Sequence, residues 1–120
     1  MNGRVLVVED DPQLGPMVVA VLEGEGYEVV YADDADAALV ELASPRRLSA
    51  LLTDNLLGGA VTGVELVALA RSHRPALRCV LMTADPGSLK GYVLAADVCL
   101  LRKPMSYDEI LGAVDPGRAG

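Results

Sequence analysis

The chain has 120 residues, 52% hydrophobic and 22% charged, with a net charge of −7 and two cysteines. That length suits one domain able to bury roughly two-thirds of its unfolded surface, and the composition is neither disordered nor fibrous. The acidity argues against a nucleic-acid surface on this chain, and no apolar run approaches the roughly 20 residues that span a bilayer.

The N-terminus, MNGRVLVVED, enters a strand without the layout of a signal peptide, so the expected location is cytoplasmic. Cys79 and Cys99 lie far apart in apolar segments and read as buried reduced thiols, not as a zinc site.

Residues 4–8, RVLVV, are continuous and β-branched, as in a strand covered on both faces. EDDP follows, and Asp11-Pro12 reads as a helix cap with proline at the first helical position. Leu14, Met17, Val18, Val21 and Leu22 give that helix its apolar face, and Gly24 and Gly26 stop it. YEVVYA, 27–32, is a second strand, and Asp34 caps a helix with Ala35, Ala38, Leu39 and Leu42 inward.

LSALLT, 48–53, is the third strand and ends on Asp54. A loop runs to Gly63, and a helix covers 64–72 until Pro75 breaks the pattern. RCVLMT, 78–83, is the fourth strand. The spacing of Leu89, Tyr92, Val93 and Ala96 predicts a short fourth helix. VCLLR, 98–102, is the fifth strand, ended by Lys103-Pro104. Ser106 caps a last helix carrying Tyr107, Ile110, Leu111 and Val114 inward. The core is about residues 3–114, and the tail 115–120 is expected to fray.

Alternating strands and helices predict an α/β fold, an open parallel sheet with helices on both faces. Ligands of such sheets bind beyond the carboxyl ends of the strands, where the strand order reverses. Those ends carry Glu9, Asp10 and Asp11, then Asp54, Thr83 and Lys103. Singly, each has an ordinary explanation: a turn aspartate, a packed threonine, an exit lysine. At one rim they make chemistry. Two like charges about 4 Å apart repel by about 4 kcal/mol at an effective dielectric near 20, so Glu9, Asp10 and Asp54 call for a cation. Hard oxygen ligands suit Mg²⁺. Thr83 can donate to a phosphoryl oxygen, Lys103 supplies a point charge, and Asp54 can act as the nucleophile that becomes an acyl phosphate.

The segments VLVVEDD, LLTDNLL with Gly63, VLMTA and LLRKP resemble those of response regulator receiver domains of two-component signalling, over about residues 3–114. The resemblance implies a flavodoxin-like five-stranded sheet of order 2-1-3-4-5. It implies that Asp54 is the phosphoacceptor and that Glu9 and Asp10 hold Mg²⁺ with Asp54 and the backbone carbonyl of Leu56. Thr83 would be the switch hydroxyl and Lys103 the phosphate-binding lysine, with the Lys103–Pro104 bond often cis. The donor would be a histidine kinase or a phosphotransfer domain. The domain would catalyse the transfer and its own slow dephosphorylation, and would switch the binding of a downstream partner.

Two departures stand out. Leu57-Gly58 replaces the usual Met-Pro or Leu-Pro, a looser loop like that of hybrid histidine kinase receivers. Leu100 stands where receivers commonly carry the aromatic that rotates with the switch hydroxyl. His73, alone near a helix end, suits the negative helix terminus better than a metal or phosphodonor role. Arg102 alternates away from Lys103. No output domain is visible in the sequence, so output would come from a partner or a longer polypeptide. Two alternatives remain: a phosphate-independent binding module of the same fold, and a flavin carrier, against which Glu9, Asp10 and Asp11 argue by charge.

Overall fold

In the computed structural model, which describes residues 3–59 and 61–117, five strands form one parallel sheet. They are β1 (Arg4–Val8), β2 (Glu28–Ala32), β3 (Ala50–Asp54), β4 (Arg78–Thr83) and β5 (Cys99–Arg102), in the order β2-β1-β3-β4-β5. The helices are α1 (Leu14–Gly24), α2 (Ala35–Ala43), α3 (Gly63–His73) and α4 (Tyr107–Val114). The expected order of strands is therefore found. The chain turns left from β1 to β2 and right from β3 onward, so the order reverses between β1 and β3.

β1 and β3 are buried almost throughout because helices cover both of their faces. Alternate residues feed two cores. Val5, Val7, Leu52, Val80 and Met82 pack with Val18 and Leu22 of α1 and Ile110 and Leu111 of α4. Leu6, Val8, Leu51 and Cys79 pack with Ala38 and Leu42 of α2 and Leu66 and Ala70 of α3. A fully buried leucine contributes about 1.5–3 kcal/mol, so both faces are firmly held. Cys79 is buried and Cys99 half-buried, and both are free thiols.

Side chains mark most helix starts. Asp34 accepts from the Ala37 amide at 2.7 Å. Ser106 and Glu109 form a capping box on α4, as do Thr62 and Glu65 on α3. Asp11 acts differently from expectation. It accepts from the amides of Gln13 and Leu14 at 2.8 and 3.2 Å, and the helix starts at Leu14 rather than Pro12. The turn that Asp11 closes precedes the helix, and Pro16 falls within the first turn, where no amide partner is lost.

The predicted fourth helix is corrected. Only a single 3₁₀ turn, Pro86–Leu89, forms between β4 and β5. Pro86, Gly87 and Gly91, the last at φ 91°, interrupt the apolar spacing. Val93, one of the residues whose spacing predicted that helix, is 96% exposed. A turn of four residues cannot cover the sheet, so Leu100 on β5 stays open to solvent while Leu101 is buried on the opposite face. Asp97 ties this segment to Arg71 of α3 at 2.8 Å.

Arginines gather where the strands begin. Arg4 pairs with Glu28 across β1 and β2. Arg74 donates to the Leu42 and Ser44 carbonyls at 3.3 and 2.7 Å, and Arg78 donates to the Ala113 carbonyl at 2.8 Å. Arg46 and Arg47 lie in the loop before β3, exposed. Asp115 accepts from the Gly117 amide in a turn, and the rest of the expected frayed tail, 118–120, lies outside the described residues.

Candidate functional site at the strand ends

Register brings the predicted residues together. Val8 pairs with Thr53, Asp54 with Met82, and Thr83 with Arg102, so Glu9, Asp54, Thr83 and Lys103 emerge along one edge. Main-chain bonds continue the ladder past its end. The Asn55 amide donates to the Met82 carbonyl at 3.0 Å and the Lys103 amide to the Thr83 carbonyl at 2.8 Å.

Glu9 is fully buried and Asp54 is 6% exposed, whereas Asp10 is exposed. Lys103 stands between the two buried acids. Its ammonium is 2.7 Å from Glu9 Oε1 and 3.1 Å from Asp54 Oδ1. Burial pushes the Glu9 carboxyl above its ordinary value; the Lys103 and Asp11 bonds oppose that, and the Asp54 charge adds to it. Burial pulls Lys103 down, but the Glu9 bond and the nearby Asp54 and Glu9 charges outweigh it and hold the lysine above its usual range. The Lys103–Pro104 bond is cis.

Each of Glu9, Asp10 and Asp54 offers an oxygen within 4.8 Å of the others. Three hard, anionic donors at that spacing fit a divalent cation such as Mg²⁺, and one ammonium does not neutralise them. Among the described residues, Asp10 Oδ2 receives one long bond, from the Gly58 amide at 3.4 Å. Leu56 lies two residues beyond Asp54 with an exposed side chain.

Thr83 is 1% exposed, and its hydroxyl donates to the Asp85 carbonyl at 2.9 Å. Donation to a bound phosphoryl oxygen would mean breaking that bond. Ser88 donates to the same carbonyl at 2.7 Å. His73 ends α3, 3.2 Å from the Leu69 carbonyl and away from the acidic rim.

Three residues support the site, of which the sequence pointed only to Gly63. Asn55 is buried; its side chain accepts from the Val64 amide at 3.3 Å and donates to Ser88 at 3.2 Å. Gly63 lies so close to the strand end that a Cβ there would sit 2.2 Å from the Asp54 carbonyl oxygen. Tyr31 of β2 donates its hydroxyl to the Glu9 carbonyl at 2.7 Å. Burial, with Asp33, Glu9, Asp10 and Asp11 nearby, holds its phenol above the usual range, so it stays a donor. The Asn after the aspartate reads as a turn, and the Tyr31 contact crosses from another strand, so neither left a local signal. Gly63 was noticed only as part of a motif.

The model of the response regulator receiver domain family matches residues 5–115. The nitrogen assimilation regulatory protein NtrX of Azorhizobium caulinodans is 31% identical over 92% of this chain and 25% of its own length. The curated relatives are longer, and the chain spans between a quarter and about half of them. A Burkholderia pseudomallei response regulator, solved with a phosphorylated aspartic acid, a calcium ion and citrate, is similar at 26% identity and TM-score 0.80. That match covers 94% of this chain and 66% of the other. The TrrA response regulator of Thermotoga maritima, solved with Mg²⁺ and BeF, has the same fold at 23% identity and TM-score 0.83, covering 95% and 97%. With its reversal-point acids, buried aspartate and bridging lysine on that fold, the chain belongs to the response regulator receiver domains, the phosphoacceptor modules of two-component signalling.

Proposed function

We propose that Asp54 accepts a phosphoryl group from the phosphohistidine of a histidine kinase or a phosphotransfer domain, with Mg²⁺ held by Glu9, Asp10, Asp54 and the Leu56 carbonyl. The observation that carries this reading is the Lys103 bridge between Glu9 and Asp54, with Asp10 within 4.8 Å.

An Asp54 carboxylate oxygen attacks phosphorus. The P–N bond breaks, its electron pair stays on the imidazole nitrogen, and that nitrogen takes a proton from solvent. Lys103, already beside Asp54, lies within reach of an oxygen of the new acyl phosphate and offsets its charge. Thr83 leaves the Asp85 carbonyl to donate to another, and that movement changes the surface read by a downstream partner. Bound Mg²⁺ supplies charge neutralisation for the transferring group. Water attack on phosphorus later releases inorganic phosphate and restores the carboxylate.

The test is incubation with Mg²⁺ and acetyl phosphate, read by intact mass. One phosphoryl group is expected, absent in Asp54→Ala and with a chelator. No adduct, together with no response to beryllofluoride and Mg²⁺, would replace this reading with a phosphate-independent binding module.

A further inference from the structure

Glu9 is held from several sides. Its amide donates to the Ala32 carbonyl at 3.1 Å, Oε2 accepts from the Asp11 amide at 3.2 Å, and Oε1 meets Lys103. The remaining hold is on its carbonyl oxygen, by the Tyr31 hydroxyl at 2.7 Å. That carbonyl belongs to the same planar peptide unit as the Asp10 amide, so fixing it fixes the direction in which the chain enters Asp10.

Asp10 needs that help. Of the three clustered acids it alone is exposed, and among the described residues its carboxylate has one long hydrogen bond, from Gly58. The tyrosine is itself held in place. A Cβ at residue 15 would meet the Tyr31 oxygen at 2.4 Å and two ring carbons at 2.7 and 2.8 Å, so the ring lies directly on Gly15 in the first turn of α1. One side chain from β2 thereby clamps both ends of the loop that carries Asp10.

We propose that Tyr31 is a positioning residue for the cation site: its hydroxyl orients the Glu9–Asp10 peptide so that Asp10 converges on Glu9 and Asp54. This rests on reading the three acids as the Mg²⁺ site. Tyr31 touches neither cation nor phosphoryl group and acts only through the loop.

The variant is Tyr31→Phe, which keeps the ring on Gly15 and removes only the donor. Mg²⁺ binding is measured by calorimetry on the unphosphorylated protein, wild type first. No Mg²⁺ binding by wild type overturns the site reading itself. With wild-type binding in hand, the variant should bind Mg²⁺ about threefold to tenfold more weakly, as loss of one orienting hydrogen bond implies. Its unfolding midpoint in chelator should fall by a few degrees at most, as loss of one hydrogen bond implies. Phosphorylation by acetyl phosphate should slow at low Mg²⁺ and recover fully at saturation. An unchanged Mg²⁺ affinity overturns the proposal, whether or not stability falls. A rate defect that persists at saturating Mg²⁺ overturns it too, because the hydroxyl would then act on the chemistry rather than on the loop.

Discussion

At the scale of single residues, two positions have opposite relations to the site. Gly63 is excluded from growing. A methyl group there meets the Asp54 carbonyl oxygen at 2.2 Å and the Asn55 Cα at 2.7 Å, both backbone atoms that cannot step aside. Gly63→Ala should cost about 2–3 kcal/mol in urea unfolding, as overpacked cores do, and should slow phosphorylation by tilting Asp54. Lys103 is excluded from shrinking. Without it, Glu9 and Asp54 face one another buried with no ammonium between them. Lys103→Ala should lose about 3 kcal/mol in the presence of a chelator, the scale of breaking a buried ion pair. Mg²⁺ should recover much of that loss, and a variant equally unstable with and without Mg²⁺ would contradict the shared role of ammonium and cation. Both acids, the lysine and the threonine were legible in the sequence because each follows an apolar strand, where a charge or hydroxyl stands out. Tyr31 and Asn55 were not, because their meaning lies in contacts 22 and 33 residues away.

At the scale of elements, the sheet was legible because five apolar runs, spaced by helical patterns, leave few topologies. The missing helix shows the limit of that reading. Leu89, Tyr92, Val93 and Ala96 have helical spacing, but Pro86, Gly87 and Gly91 weaken the backbone, and so short a helix forms only if packing holds it. Here packing does not hold it, and Val93 faces solvent. The segment is tied down by the Arg71–Asp97 pair, in which the Arg71 bond holds the Asp97 carboxyl below its usual range. Such a carboxylate adds stability above its ordinary pKa and loses it as pH falls through the lowered one. The pair is exposed on the Asp97 side, so its contribution is small. Asp97→Ala should leave the global unfolding midpoint nearly unchanged and speed amide exchange in residues 90–98 alone. Faster exchange spreading into α3 would mean that the pair supports the helix and not the loop. The start of α1 was misplaced for a related reason: Asp11 closes a turn that runs straight into the helix, and the sequence does not say where one ends.

At the scale of the whole molecule, the parallel sheet sorts charge by direction. Loops leaving the strands carry Glu9, Asp10, Asp11, Asp33, Asp34 and Asp85 beside Asp54, and loops entering or opening the strands carry Arg4, Arg46, Arg47, Arg74 and Arg78. The arginines at the strand starts therefore do more than hold carbonyls. At the rim the acids outnumber Lys103 and Arg102, and at the other end these arginines outnumber Glu28 and Asp97, so a body of 35 × 32 × 29 Å has two electrical poles. An approaching protein with a basic face is turned rim-first before contact, whereas a small anionic phosphodonor must climb the same field. Salt shortens the reach of that field to about 8 Å at physiological ionic strength. Raising it should slow phosphotransfer from a basic-faced protein donor and speed phosphorylation by acetyl phosphate. A shared response to salt in both reactions would show that the poles do not guide the encounter. Charge sorted between the two ends of one sheet would thus let the domain favour a protein messenger over the background of small metabolites at the moment of collision.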